Sequence, residues 1–308
     1  MKYLVLIIFP LLSVGCLEKE KDYLYQKGIS YYNQKDFENS IVYFDSAIVL
    51  GFNDYKAFLY LTYAYCAIDE WDKALKLAHT VNGLEHNYKR IYGLISFIHI
   101  ELENYDSTLY YISKSIELGW MDSPRLYNTA GRAYYGLGKP DQAMSSYEKS
   151  IEIDSMYPFG YYGIGYVHYD RGNYEKSDSM LTKAINIWED YADAYSMRGL
   201  VKEETGDFVN AIKDYSKGIK LSPKDCLTYH KRGRTYERMG KYDSAITDYK
   251  ESIKLDNDSS YYLSNTEGLY FSYKKSDNYE GMCNILKIIE HMNTENDSVA
   301  LYIEEYCK

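Results

Sequence analysis

Glycine recurs at a fixed interval along the middle of this chain, and that interval constrains the fold more than any other feature. Gly131, Gly165, Gly199 and Gly233 are each separated by 34 residues. Self-similarity of this kind is typical of solenoid proteins, whose repeats are supersecondary units stacked on their neighbours. The chain has 308 residues and only five prolines, a composition that suits long helices. We therefore expect one extended helical array, or at most two ordinary domains.

Seven units align on this glycine, with Ser123 as the one extra residue among them. The units are 21–54, 55–88, 89–122, 124–157, 158–191, 192–225 and 226–259. Their eighth position is always small: Gly28, Thr62, Ser96, Gly131, Gly165, Gly199 and Gly233. Their twentieth position is small as well: Ser40, Ala74, Thr108, Ala143, Ser177, Ala211 and Ala245. Small residues at both positions let the two helices of a unit cross closely.

Aromatic residues occupy further columns of the same alignment. The fourth position reads Leu24, Phe58, Tyr92, Tyr127, Tyr161, Tyr195 and Tyr229, and the eleventh is mostly Tyr. Positions 4, 8 and 11 have the i, i+4, i+7 spacing of one helical face. The seventeenth position is aromatic in six units, at Phe37, Trp71, Tyr105, Tyr174, Phe208 and Tyr242. It usually follows Asp or Asn, which predicts a tight turn between the two helices.

These columns closely resemble the tetratricopeptide repeat (TPR) family over residues 21–290. The resemblance implies an all-α, right-handed superhelical solenoid of about eight helix–turn–helix repeats. A generic helical bundle is the competing architecture, but it would not need small residues at fixed positions through seven units. The chain departs from the family at Pro140, which replaces the aromatic of position 17 and can open a second helix. His99, His168 and Lys202 replace the Tyr of position 11.

The C-terminal end of the array is less regular. Residues 260–292 form a degenerate eighth unit, in which Asn278 and Tyr279 mark the turn. We expect a final capping helix at 297–306, N-capped by Asp297 or Ser298, because an apolar face would otherwise stay exposed.

The N-terminus has the features of an export signal. Lys2 precedes an apolar run at 3–12, which is too short to span a bilayer but fits the apolar part of a secretory signal. The ending Ser13-Val14-Gly15-Cys16 resembles a bacterial lipobox, although the family prefers Leu, Val or Ile where Ser13 stands. We predict a signal peptide at 1–15, lipid attachment at Cys16, a short tether at 16–22 and a cell-envelope location, with the outer membrane favoured. A plain signal peptide with an incidental Cys is the alternative.

Charge and motifs exclude several classes of function. The chain has 45 Asp and Glu against 35 Lys and Arg, a net charge of -10, which argues against nucleic acid as a partner. No Cys-x-x-Cys, phosphate loop or Ser nucleophile elbow is present, and no His pair has metal-ligand spacing. His99 and His168 fall in a packing column. We therefore expect no enzyme activity, no metal and no cofactor.

Two further patterns leave alternatives open. Cys283 and Cys307 are the best candidates for a disulfide in an exported protein, although free thiols are the favoured interpretation. Asp-Ser pairs such as Asp178-Ser179 and Asp243-Ser244 resemble an O-glycosylation motif of Bacteroidetes-like bacteria. Ordinary helix capping explains the same pairs.

The TPR resemblance also implies a binding groove lined by positions 2, 5, 9 and 12 of each first helix. In units four to seven these positions include Arg125, Asn128, Arg132, Tyr135, Phe159, Tyr162, Tyr166, Tyr169, Asp193, Glu203, His230 and Arg234. Some family members clamp a peptide carboxylate with such residues, but the fifth unit lacks the polar partner that a clamp needs. We predict a scaffold that binds a protein or peptide partner in this groove. A glycan-binding lipoprotein that stacks sugars on the tyrosines is the alternative, and a Tyr-rich composition of 39 residues could by itself explain the cluster.

Overall fold

The computed structural model describes residues 14–85, 89–256, 261–292 and Cys307, and all regular secondary structure in these residues is α-helical. The prediction of an all-α array of helical hairpins is confirmed. The chain divides into two compact parts, each containing several repeats. From here on we call residues 1–153 unit 1 and residues 154–308 unit 2. Unit 1 contains α1 (Val14–Asn33), α2 (Phe37–Val49), α3 (Tyr55–Ala67), α4 (Trp71–Leu84), α5 (Arg90–Glu101), α6 (Tyr105–Glu117), α7 (Pro124–Gly136) and α8 (Pro140–Ile153). Unit 2 contains α9 (Pro158–Asp170), α10 (Tyr174–Ile187), α11 (Ala192–Glu204), α12 (Phe208–Leu221), α13 (Cys226–Arg238), α14 (Tyr242–Leu255), α15 (Tyr262–Lys275) and α16 (Tyr279–Met292).

Every hairpin turn contains one residue in the left-handed conformation, two residues before the second helix begins. In four turns this residue is glycine: Gly138, Gly172, Gly206 and Gly240. In the other four it is Lys35, Asp69, Glu103 or Asp277, with φ between 55° and 61°. Glycine adopts this conformation without steric cost, whereas the other residue types are held in it by the packed hairpin. The turn geometry is therefore common to all eight pairs although the turn sequence is not.

The small residues of position 20 lie where the two helices of a hairpin cross. All seven have no exposed surface. Two of them are serines whose hydroxyls donate across the crossing: Ser40 to the Gly28 carbonyl at 3.1 Å, and Ser177 to the Gly165 carbonyl at 2.7 Å. A larger side chain there would push the helices apart, because interiors are packed to crystal-like density.

A large side chain from each second helix covers the glycine of position 8. Phe44 packs on Gly28, Tyr147 on Gly131, Leu181 on Gly165, Tyr215 on Gly199, and Tyr249 on Gly233. A β-carbon added to Gly199 would lie 2.8 Å from the Tyr215 ring, which is closer than real contacts allow. The glycine column is thus required by the close approach of a ring.

In the eighth hairpin, the glycine and the ring that covers it have exchanged helices. Its glycine lies in the second helix, where Gly281 receives Tyr273 from the first helix. The glycine of its first helix, Gly268, instead receives the ring of Tyr249 from α14. This exchange explains why residues 260–292 did not fit the spacing of the other units.

In unit 2, two arginines join the two helices of their own hairpin through an ion pair and reach the preceding hairpin through a hydroxyl group. Arg198 forms two hydrogen bonds of 2.8 Å with Asp214 and a third, of 3.0 Å, with Thr182. Arg232 repeats the arrangement 34 residues later, with Asp248 and Ser216. Both carboxylates are buried, so each needs this bidentate partner.

The termini differ in part from the expectations. Residues 16–22, predicted as a tether, are helical and continuous with α1. Cys283 and Cys307 form a disulfide, so the free-thiol interpretation of this pair is wrong. Residues 1–13 and the predicted capping helix at 297–306 lie outside the described residues. Of the helices that the structure describes, none combines the length and apolar character needed to cross a membrane.

Candidate partner-binding surface

The first helices of unit 2 form one continuous layer. Along this layer α9 touches α11, α11 touches α13, and α13 touches α15. The predicted groove positions of the fifth, sixth and seventh repeats lie on these helices. We call this layer the first-helix surface of unit 2.

Six aromatic side chains form a connected patch at the start of this surface. We define the aromatic patch as Tyr157, Phe159, Tyr162, Tyr166, Trp188 and Tyr191. The Phe159 ring lies 5.3 Å from Tyr157, 5.8 Å from Trp188 and 5.2 Å from Tyr191, measured between centroids. Tyr191 stacks on Trp188 at 4.9 Å and contacts Tyr162 at 5.3 Å, which in turn reaches Tyr166 at 6.4 Å.

Three members of the patch expose a large part of their rings. The exposed fraction is 38% for Phe159, 37% for Tyr166 and 43% for Trp188. Tyr191 is only 5% exposed and holds the patch to the core beneath it, where it packs with Ile185. The patch therefore combines a rigid base with an accessible aromatic surface.

Trp188 and Tyr191 were not among the predicted groove residues. They lie in the link between two hairpins, where Trp188 is the C-cap of α10 and Tyr191 is the N-cap of α11. The Trp188 amide donates to the Ala184 carbonyl at 3.0 Å, which fixes the direction in which the chain leaves α10. In the sequence, the sign that could have identified them is the presence of a Trp and a Tyr close to the boundary of a repeat.

Tyr169 lies apart from the patch, although it is on the same helix as Tyr162 and Tyr166. Its ring contacts Tyr174 at 5.8 Å. Burial raises the pKa of Tyr169, and the charge of Glu204 adds to that rise. Tyr169 therefore borders the charged network described next.

A buried carboxylate organises the cations of this surface. Glu203 has no exposed surface and accepts hydrogen bonds of 3.0 Å from the Tyr215 hydroxyl, Arg234 Nε and Arg238 Nη1. Burial alone would raise the pKa of Glu203, but the bonds from Arg234, Arg238 and Tyr215 outweigh it and lower that pKa. Arg234 was predicted as a groove residue; the structure pairs it with Glu203 and leaves its side chain 42% exposed.

His230 lies between α13 and α15 rather than in open solvent. Its Nδ1 is 2.9 Å from the Asn265 Oδ1, and its ring is close to those of Tyr249 and Tyr261. Burial lowers the pKa of His230, which favours the neutral imidazole. These contacts indicate a packing role at the junction of two repeats.

The remaining predicted groove residues belong to α7 in unit 1. The Arg125 guanidinium stacks over the Phe97 ring at 4.0 Å, and Arg132 forms an ion pair of 2.7 Å with Glu101. Asn128 and Tyr135 are half-buried. The predicted set is thus divided between the two units, with Tyr162, Tyr166, Tyr169, His230 and Arg234 in unit 2.

The acidic, Cys and His side chains were also compared with the requirements of a metal site. Among the described residues, no cluster of His, Cys, Asp and Glu has the geometry of a metal site. Of the histidines in the packing column, His99 is buried and stacks on Tyr111 at 5.3 Å. Burial also lowers its pKa, and the nearby His79 adds to the effect.

Comparison with known families accounts for this architecture. The family described as tetratricopeptide repeat matches residues 22–49, 160–190, 192–225 and 228–259, and a second description, TPR repeat, matches 131–172. This chain is a tetratricopeptide repeat protein. It is also similar to a TPR repeat-containing protein of Methanocaldococcus jannaschii, with 32% identity over 91 residues. That match covers 30% of this chain and 16% of the relative.

Solved structures show the same fold at low sequence identity. A tetratricopeptide repeat protein from Parabacteroides merdae is 16% identical, with a TM-score of 0.63, over 82% of this chain and 99% of that one. PilF of Pseudomonas aeruginosa is 13% identical, with a TM-score of 0.59, over 70% and 97%. A chain of the APC/C hetero-tetramer Cut9–Hcn1 is 15% identical, with a TM-score of 0.66, over 96% and 57%. Proteins with this fold are commonly scaffolds that mediate protein interactions, and they are typically not enzymes.

Proposed function

We propose that this TPR protein is a non-enzymatic scaffold that binds a partner protein on the first-helix surface of unit 2. The observation that carries the proposal is the aromatic patch. Soluble proteins rarely leave several large rings side by side and exposed unless a partner covers them. Trp and Tyr are also the residues that most often dominate binding energy at interfaces.

A Tyr-rich composition does not account for the patch. The chain has 39 Tyr but only three Trp and nine Phe. Trp188 and Phe159 come from these rarer types, and both are more than a third exposed and in ring contact with one another. Three exposed rings on one rigid base can bind apolar side chains at a small cost in conformational entropy.

The patch is best tested by truncating its two exposed non-Tyr rings. Phe159→Ala with Trp188→Ala should abolish recovery of partner proteins from the native host's membranes. Tyr279→Ala is the matched control, because Tyr279 is 57% exposed on a second helix. Loss of the same partners from the control, or their undiminished recovery by the double variant, would refute the proposal.

Sugar stacking is the competing outcome for the same rings. If oligosaccharides quench the tryptophan fluorescence and Trp188→Ala removes that effect, the patch binds glycans instead. Arg132→Glu and Arg234→Glu variants would not distinguish these two functions. Each would place a new Glu against Glu101 or against the buried Glu203, and so would disturb folding.

We further propose that the scaffold is anchored to the bacterial envelope through a lipid on Cys16. The support is the sequence alone: a charged start, an apolar run and the Val-Gly-Cys ending. Labelled palmitate fed to the native host should enter the wild-type protein but not a Cys16→Ser variant, which should leave the membrane fraction. Equal labelling of both proteins would contradict the anchor.

A further inference from the structure

Acidic residues adjoin the aromatic patch in the amino-acid sequence. Glu189 and Asp190 stand between Trp188 and Tyr191 in the chain, and both are exposed. Asp193 follows Tyr191 in the first turn of α11. Three carboxylates therefore lie within five residues of the Trp188 ring along the chain.

The nearby cations neutralise these carboxylates only in part. Lys217 reaches Asp190 at 3.9 Å, but the Asp190 side chain is 73% exposed, so the pair is weak. Lys231 is half-buried, and burial lowers its pKa. Partial burial raises the pKa of Asp193, and the charge of Asp225 adds to this rise. An additional cation at this place would therefore relieve a net negative field.

The rings themselves favour a cation. The face of an aromatic ring is negatively polarised and attracts Lys or Arg, and Trp does so most strongly. This chain uses the interaction internally, with Arg125 over Phe97 at 4.0 Å and Arg238 over Phe208 at 4.7 Å. Within the described part of the chain, no Lys or Arg lies over the ring of Phe159 or Trp188.

We infer that the aromatic patch recognises a basic segment of the partner protein and places an Arg or Lys side chain over Trp188 and Phe159. The carboxylates of Glu189, Asp190 and Asp193 attract the cation, while apolar side chains of the same segment cover Tyr162 and Tyr166. This inference rests on the proposed function and specifies the chemistry of the partner. An acidic net charge of -10 for the whole chain favours such a partner at longer range.

Matched peptides separate charge from shape. The probes are a peptide of alternating Arg and Leu, the same peptide with citrulline in place of Arg, and the same peptide with Glu. Citrulline keeps the planar shape of Arg and about three of its five N–H donors, but an oxygen replaces one nitrogen group and the charge is lost. Binding to the full chain is followed by tryptophan fluorescence and by calorimetry.

The Arg peptide should bind at least about tenfold more tightly than the citrulline peptide, and the Glu peptide should not bind. Trp188→Ala should weaken the Arg peptide by about fivefold or more, whereas Trp188→Phe, which keeps a ring, should weaken it by about twofold. Glu189→Gln with Asp190→Asn should weaken it and reduce the dependence on salt. Tyr279→Ala, the matched control, should bind the peptide like the wild type, and far-ultraviolet circular dichroism checks that every variant is folded.

Two results would overturn the inference. One is equal affinity for the Arg and citrulline peptides, and the other is tighter binding of the Glu peptide. A separate measurement distinguishes this failure from failure of the proposed function: sequencing of the partner segment crosslinked at Phe159 in the native host. A neutral or acidic segment refutes the basic partner but leaves the scaffold intact, a basic segment supports both, and the absence of any crosslinked protein refutes the scaffold as well.

Discussion

Replacing Glu203 by Gln tests whether one buried carboxylate holds the first-helix surface of unit 2 together. The change keeps the shape of the side chain and removes its charge. Glu203 is fully buried and accepts hydrogen bonds from Tyr215, Arg234 and Arg238. In the variant, an NH2 group replaces one of the two acceptor oxygens. This NH2 group then faces a hydrogen-bond donor instead of accepting from it.

The expected cost is set by the exposure of the three partners. The Tyr215 hydroxyl is buried, and losing a charge-assisted bond at such a place costs about 1.5–3 kcal/mol. Arg234 and Arg238 are 42% and 43% exposed, so each can turn to water, and each pair contributes at most about 1 kcal/mol. The amide oxygen of Gln retains part of this bonding. We therefore expect a loss of about 2 kcal/mol in the free energy of unfolding, or a midpoint lowered by roughly 4–8 °C.

Thermal and urea unfolding, followed by far-ultraviolet circular dichroism, measure this loss. Glu204→Gln is the matched control, because Glu204 is the next residue on the same helix and is exposed. It should change the free energy of unfolding by less than about 0.5 kcal/mol. Equal midpoints for the wild type and Glu203→Gln would refute the reasoning, and so would an equal loss in Glu204→Gln.

The same residue predicts a dependence on pH. The pKa of Glu203 is lowered in the folded protein, so its contribution is complete above the ordinary glutamate pKa of about 4.3. It is lost as the pH falls through the lowered value. The difference in stability between the wild type and Glu203→Gln should therefore be constant near neutral pH and shrink in acid. A difference that grows on acidification would contradict the sign of this shift.

Three further predictions concern the packing of the repeats. Gly165→Leu should overpack its hairpin and cost about 1–3 kcal/mol, and an unchanged thermal midpoint would contradict the glycine contact. A double-mutant cycle of Arg198→Leu and Asp214→Leu should give a coupling energy of about 1–3 kcal/mol, whereas strict additivity would mean that the bidentate pair is dispensable. Cys283→Ser should lower the free energy of unfolding by about 3 kcal/mol, because the disulfide spans 24 residues. A reductant should cause a similar loss in the wild type, and the absence of both effects would count against the disulfide.

The hairpins could be predicted from the sequence because their determinants are local. The small side chains of position 20 depend only on how one hairpin packs on itself, and the aromatic residues of position 17 mark the start of six second helices. Ser177, for example, is buried against the Gly165 carbonyl within a single repeat. The eighth hairpin was predicted only as a degenerate repeat, because its glycine and its aromatic residue have exchanged helices. The buried contact between them is kept, but the glycine lies at a different position of the repeat.

The candidate site could be predicted only in part, because its partners come from different repeats. The column positions include Phe159, Tyr162 and Tyr166 of the aromatic patch, but not Trp188 and Tyr191, which a link between hairpins brings against α9. The pairing of Arg234 with Glu203 depends on the packing of α13 against α11, and no spacing within one repeat shows it. The predicted groove residue Arg234 is therefore held by a carboxylate of its own chain.

The most direct test of the account is photocrosslinking at the aromatic patch in the native host. A benzophenone amino acid would replace Phe159, and matched proteins would carry it at Tyr110 and Tyr279, which are exposed on second helices. A discrete crosslinked partner protein should appear at Phe159 and none at the two control positions. Equal crosslinking at all three positions, or none at Phe159, would contradict the claim that this surface binds a partner.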